Sequence, residues 1–285
     1  MKTVAIFLDL TEIDDSVLRY MKAMDDKMIF KNIHLIHYLE LQDTTDDYAS
    51  HFPNLDKPIE EIIEEEIEDK AQEAGINTSK LEVLVHASGG QDDLLQWVDG
   101  QNFDFCVFGK KVVHKGTGVF AGKLARLIDK SVLFITETSR HNWKKIVVPV
   151  DFSGYSKKTL RFASELSRQI KNELKILHVY HVSPTYFPFV KEKTDTLITE
   201  VRQKAEKRLK EFCEKFSEGY EISTDLIYGG EQTTAKCVYD YARGEHADLI
   251  VMGVKGKSND EEFLIGSVAE RLIQSDRDIP VLLVR

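Results

Sequence analysis

Cysteine is scarce in this chain: three residues, Cys106, Cys213 and Cys237, are scattered over 285 positions. So few and so widely spaced, they build neither a disulfide framework nor a zinc knuckle, and their apolar neighbours mark them as buried thiols. They point to a reducing, cytoplasmic setting. Proline (6) and glycine (16) are sparse as well, which argues against long disordered stretches. No apolar run reaches the roughly 18 residues that a spanning helix needs. The amino-terminal MKTVAIFLDLTEIDD meets acid at Asp9 and Glu12, so it reads as a buried first strand and not as a secretory leader. Basic charge is outnumbered, 38 residues against 48 acidic, for a net charge of -10. Phosphate backbones and anionic membranes are matched by clustered Lys and Arg, so neither nucleic acid nor membrane is an expected partner.

What remains is 42% hydrophobic and 30% charged, the balance of a chain with packed cores, and long enough for two domains. The sequence repeats itself. Val4-Ala5-Ile6-Phe7-Leu8-Asp9 and Ile146-Val147-Val148-Pro149-Val150-Asp151 are two apolar runs ending in aspartate, 142 residues apart. Asp104-Phe105-Cys106-Val107-Phe108-Gly109 and Asp248-Leu249-Ile250-Val251-Met252-Gly253 form a second pair, 144 apart. Ile33 to His37 matches Leu174 to Val179, and Ser131 to Ile135 matches Pro280 to Val284. Four landmarks in one order at nearly one offset indicate a duplication. The polar segment Thr138-Ser139-Arg140-His141-Asn142 lies between the repeats, which places one domain at 1–141 and the other at 142–285.

These runs are short, β-branched and apolar on successive positions, as strands buried on both faces are. Amphipathic patterns separate them. Ser156 to Gln169 carries Leu160, Ala163 and Leu166 on one face, and Thr196 to Phe216, Thr234 to Arg243 and Gly266 to Ser275 follow. In the first half the acidic stretch Ile59 to Ala74 keeps an apolar stripe of Ile59, Ile62, Ile63, Ile67 and Ala71, so its acids read as a solvated helix face. Strands alternating with helices predict an α/β fold: two repeated, doubly wound, five-stranded parallel-sheet domains. With no long linker between them, the repeats are expected to pack as an intramolecular pseudo-dimer.

In such sheets ligands bind beyond the carboxyl ends of the strands, near the switch in strand order. After the fourth strand of the second repeat come Gly253-Val254-Lys255-Gly256, nine residues, and then Gly266-Ser267 opening a helix. Gly253 and Gly256 would let the backbone turn tightly and approach a phosphate. Gly266 and Ser267 would aim free N–H groups and a helix dipole at an anion, with the Ser267 hydroxyl, Lys255 and Lys257 adding to the pull. Asp260, Glu261 and Glu262, inside the nine-residue segment, would oppose it. A plain turn with Ser267 as helix cap explains the same residues without a ligand. The spacing is neither a Walker loop nor a dinucleotide fingerprint.

Val148-Pro149-Val150-Asp151 with Ser153 and Ser156, the strand ending Leu177-His178-Val179, the Asp248-to-Gly253 strand, the glycine loop and the closing Pro280-to-Val284 run together resemble the universal stress protein family, in a tandem two-domain form. The resemblance covers the second half end to end. It implies an adenine-nucleotide α-hydrolase-like fold and an ATP site, with or without Mg²⁺, that serves stress regulation and not catalysis. On that likeness Gly253, Gly256, Gly266 and Ser267 would hold phosphate, and Asp151 the ribose or adenine side. Val179 would meet adenine through its backbone, and Pro149, Val150, Met252 and Val268 would line the pocket. The likeness also suggests the closing strands as a seam and leaves a further homodimer open.

The first half departs from the pattern. Asp9 and Gly109 are kept, but Val112 stands where Gly256 would, Gly122 matches Gly266, and Lys123 falls at Ser267, with a one-residue slip available. The stretch Lys110 to Gly118 is basic, yet a structural partner domain is the default. Ser88-Gly89-Gly90-Gln91-Asp92-Asp93 looks like a pyrophosphatase loop, but it follows the third strand and parallels Gly229-Gly230-Glu231, so a tight strand-to-helix turn accounts for both. No catalytic set assembles. The nine histidines are dispersed, with His34 and His37 on opposite faces of a strand. His178 and His181 flank a strand end and could face the pocket, though they read first as core or rim groups, and neither HExxH nor GxSxG occurs. An interaction scaffold with a vestigial site and a weak ATPase remain as alternatives.

Overall fold

The computed structural model describes residues 2–28, 30–40, 56–88, 90–111, 127–182, 194–217, 219–256, 265–275 and 278–285. The chain divides into two compact units, Met1–His141 and Asn142–Arg285.

The first unit runs β1 (Thr3–Leu8), α1 (Ile13–Met28), β2 (Asn32–Glu40), α2 (Ile59–Glu73), a 3-10 turn (Thr78–Lys80), β3 (Leu81–Ser88), α3 (Gln91–Gly100), β4 (Phe105–Lys110) and β5 (Ser131–Thr136). Its strands lie side by side in the order β3-β2-β1-β4-β5, all parallel. The second unit repeats the plan with β6 (Lys145–Pro149), α4 (Gly154–Ile170), β7 (Glu173–Tyr180), α5 (Thr194–Phe216), β8 (Ser223–Tyr228), α6 (Thr234–Gly244), β9 (Leu249–Gly253), α7 (Ser267–Ser275) and β10 (Val281–Val284). Its order is β10-β9-β6-β7-β8, again parallel. This is the doubly wound α/β architecture that the alternation of strands and helices predicts.

Burial explains the composition of the central strands. Val4, Ala5 and Ile6 in β1, like Ile146, Val147 and Val148 in β6, are fully buried, because helices cover both faces of a parallel sheet. Each valine or isoleucine among them contributes about 1.5–3 kcal/mol relative to exposure. Helix α4 buries Thr159, Leu160, Ala163, Leu166 and Ile170 and exposes Lys157, Lys158 and Arg161. Ser153 caps its start by accepting a hydrogen bond from the Ser156 amide, and Lys171, left-handed at φ 54°, ends it.

One aspartate in each unit fixes the strand register that creates the crevice. Asp248, 5% exposed, accepts hydrogen bonds from the amides of Lys144 and Lys145 at 2.8 and 3.1 Å, pinning β9 beside β6. Asp104 accepts from the Thr3 amide at 2.7 Å and does the same for β4 and β1. Winding reverses between these neighbouring strands, so their carboxyl ends open a crevice.

Candidate functional site

The crevice of the second unit is a cavity of about 280 Å³ at the ends of β6, β7 and β9. Pro149, Val150 and Asp151 come from the end of β6, Val179 from β7, Met252 and Gly253 from β9, Gly256 from the loop beyond it, and Gly266, Ser267 and Val268 from the entrance to α7. All ten residues that the sequence singles out line this one cavity. Ser156, Leu177, His178, Thr234, Val238, Val254, Lys255 and Ala269 complete the wall.

Asp151 is held before any ligand arrives. Its Oδ1 accepts from the Ser153 amide at 2.9 Å and from the Ser156 hydroxyl at 2.6 Å, while its own amide donates to Ser156 Oγ at 3.0 Å. This tight wrap is possible because the next residue, Phe152, adopts a left-handed φ of 66°. That conformation costs a non-glycine residue on the order of 1–2 kcal/mol, which the local hydrogen bonds offset.

The glycines serve a purpose other than tight turning. Neither Gly253 nor Gly256 has positive φ; the only described glycines that do are Gly75, Gly219 and Gly230. What they provide is closeness. A Cβ on Gly256 would lie 2.8 Å from Asp151 Oδ2, one on Gly253 would lie 2.9 Å from Tyr155 Cβ, and one on Gly266 would crowd Lys255 Cα and Val254 O at 3.3 Å. The loop is tied to the helix entrance, since the Gly266 amide donates to Val254 O at 2.7 Å.

Ser267 is not the cap of α7. The first helical bond runs from the Glu270 amide to Gly266 O at 2.9 Å, which puts Gly266 in the cap position. The amides of Ser267, Val268 and Ala269 therefore have no intrahelical acceptor, and all three residues face the cavity. An array of N–H groups at a helix start, with Lys255 on the same wall, is chemically suited to an anion. Lys257, Asp260, Glu261 and Glu262 lie outside the described residues.

Sequence reasoning gave part of the wall only as an alternative. His178, read first as a core or rim group that could also face the pocket, does face the cavity, with Nδ1 2.7 Å from Val150 O. A signal for it existed: His37 occupies the same place in the first half, and its Nδ1 lies 3.0 Å from Leu8 O. Thr234 carried no such signal, because its approach depends on where α6 begins.

A model of the universal stress protein family matches residues 142–285, just over half of the chain. The chain belongs to the universal stress protein family. Universal stress protein MJ0531 of Methanocaldococcus jannaschii is 34% identical over 155 residues, covering 53% of this chain and 87% of that protein. Universal stress protein YxiE of Bacillus subtilis is 31% identical over 150 residues, covering 50% and 99%. A crystal structure of a universal stress protein from Archaeoglobus fulgidus covers 100% of this chain and 96% of its own, with a TM-score of 0.66 at 18% identity. At that identity the likeness is one of fold.

The first unit of this universal stress protein reproduces the strand-end geometry with different chemistry. Leu10 repeats the left-handed turn at φ 60°, and Asp9 Oδ1 accepts from the Thr11 amide at 3.1 Å. Where Ser156 stands in the second unit, the first has Asp14, 1% exposed, whose carboxylate accepts from the amides of Asp9 (3.2 Å) and Leu10 (2.7 Å). Burial, and then the charge of Asp9, push Asp14 from 3.8 up to about 7. Lys111 Nζ sits 3.3 Å from Asp9 Oδ2. Val112, Gly122 and Lys123, and Lys115 to Gly118 with them, fall outside the described residues.

Proposed function

We propose that the second unit binds an adenine nucleotide, ATP, and that this binding serves a regulatory role in the stress response. The observation that carries the reading is the meeting of Asp151 and the glycine loop: Oδ2 stands 2.8 Å from the position of a Gly256 Cβ, so one ligand can touch both. A sugar hydroxyl beside a fixed carboxylate and phosphates beside three helix-start amides is a chemically coherent pairing. The first unit has Val112 in the sequence place of Gly256, which favours the second unit as the binding one.

The role proposed is binding rather than turnover. Among the described residues no group of three or more His, Cys, Asp or Glu side chains could hold a metal ion. The described residues contain no helix long and apolar enough to cross a membrane, and all three thiols are free and buried. The free thiols fit the cytoplasmic setting proposed with this role. A homodimer is proposed only as a state to be measured.

Thermal unfolding tests the reading. Millimolar ATP should raise the melting temperature of the wild-type chain by mass action, with about 2.7 kcal/mol of stabilisation at a hundredfold excess over Kd. Gly256→Val should lose the rise. A wild-type melting temperature indifferent to ATP would refute the proposal.

A further inference from the structure

The cavity is polarised from one side of β6 to the other. In the sheet, β9 and β7 flank β6 on opposite sides, which separates them by about 10 Å. The β9 side brings glycines, helix-start amides and Lys255. The β7 side brings Leu177, Val179 and Val238, an apolar wall interrupted by the hydroxyl of Thr234 and the ring of His178. If phosphates take the first side, the second is left for a flat, apolar base with polar edges.

Thr234 is held in place by a residue outside the cavity wall. His181 Nε2 lies 3.1 Å from Thr234 Oγ1. The imidazole in turn lies flat against Gly229, where an added Cβ would be 2.1 Å from its Cε1 and 2.7 Å from each ring nitrogen. The Gly229 amide donates to Tyr180 O at 2.9 Å, and Gly230 turns the chain at φ 54°. The Gly229-Gly230 turn thus makes room for a histidine whose ring meets the Thr234 hydroxyl. Helix capping does not need Thr234, because Thr233 caps α6 by accepting from the Lys236 amide.

We propose that Thr234, positioned by His181, is the residue by which this cavity discriminates among nucleobases. The proposal rests on the nucleotide reading above. When imidazole Nε2 accepts the hydroxyl proton, the oxygen's lone pairs are left for the ligand and accept from an exocyclic amine. That favours adenine over guanine or hypoxanthine, which carry a carbonyl oxygen at the same ring position.

The experiment is a set of Kd values for ATP, GTP, ITP and purine riboside triphosphate, measured calorimetrically on the intact chain. Wild type should prefer ATP to ITP. Thr234→Val should shrink that preference by about tenfold, from one lost hydrogen bond, and leave purine riboside triphosphate binding nearly unchanged. Thr234→Ser, which keeps the hydroxyl, should keep the preference, and His181→Phe should weaken it while leaving the ligand-free melting temperature within a few degrees of wild type. An ATP-to-ITP ratio that survives Thr234→Val, in a variant that still binds and still folds, would overturn the role of Thr234 alone. Absence of binding to any of the four by wild type would overturn the nucleotide reading and this proposal together.

Discussion

Asp151 and Gly256, 105 positions apart in the chain, meet so closely that a methyl group on the glycine would lie 2.8 Å from the carboxylate oxygen Oδ2. The glycine is kept there by contact and not by backbone conformation. Gly256→Ala is therefore expected to push Asp151 off its Ser153 and Ser156 partners, costing about 1–3 kcal/mol as overpacking does. The check is a lowered ligand-free melting temperature together with a loss of the ATP-dependent rise. A variant that behaves like wild type in both would show that the two residues are not in contact.

Ser267 separates binding from folding. It is exposed and does not cap α7, so Ser267→Ala should leave the ligand-free melting temperature unchanged. Loss of a hydroxyl donated to a charged phosphate oxygen should weaken ATP by about tenfold. Titration calorimetry reads the second quantity and thermal unfolding the first.

The register of the central strands rests on Asp248. Asp248→Ala would strand the amides of Lys144 and Lys145 without their acceptor, a cost of about 1–3 kcal/mol. Asp104→Ala should cost less, since the side chain of Asp104 is 39% exposed and water can replace it. The depression of the melting temperature in each variant gives the order, and the reverse order would contradict the role given to Asp248.

Much of this fold was legible in the residues. Val4 to Leu8 and Ile146 to Val148 read as strands because helices cover both their faces, and the recurrence of aspartate, strand and glycine at one offset exposed the duplication. What stayed hidden depends on contacts that pattern does not encode. Glycine at 256 reads as a tight turn and a close approach to phosphate, but the sequence does not reveal the carboxylate that approaches it from a strand end 105 residues earlier. Ser156 reads as part of the family pattern, but its role, a hydroxyl donating to Asp151, shows only in the structure. Thr234 and His181 meet only because α6 begins beside the end of β7. His178 was legible as a residue that could face the pocket, but its contact with the Val150 carbonyl was not.

Asp14 makes a prediction about pH. Its folded value is raised from 3.8 to about 7, by burial first and then by Asp9. The folded chain therefore binds more protons than the unfolded chain between those values, and stability falls as pH rises. The stabilisation is full below about pH 4 and gone above about pH 7, an effect on the order of a few kcal/mol. Asp14→Asn keeps an acceptor for the amides of Asp9 and Leu10 but cannot ionise. The melting temperature of the variant minus that of wild type should grow from pH 4 to pH 7.5. A difference that is flat with pH would show that Asp14 titrates normally.

Equilibrium dialysis of the intact chain against labelled ATP is the most direct measurement, because it counts sites as well as detecting them. One ATP per chain is expected, abolished by Gly256→Val and unaffected by Lys111→Ala in the first unit. No retained ATP at millimolar concentration, or retention that persists undiminished in Gly256→Val, would contradict a nucleotide site built on the loop beyond β9.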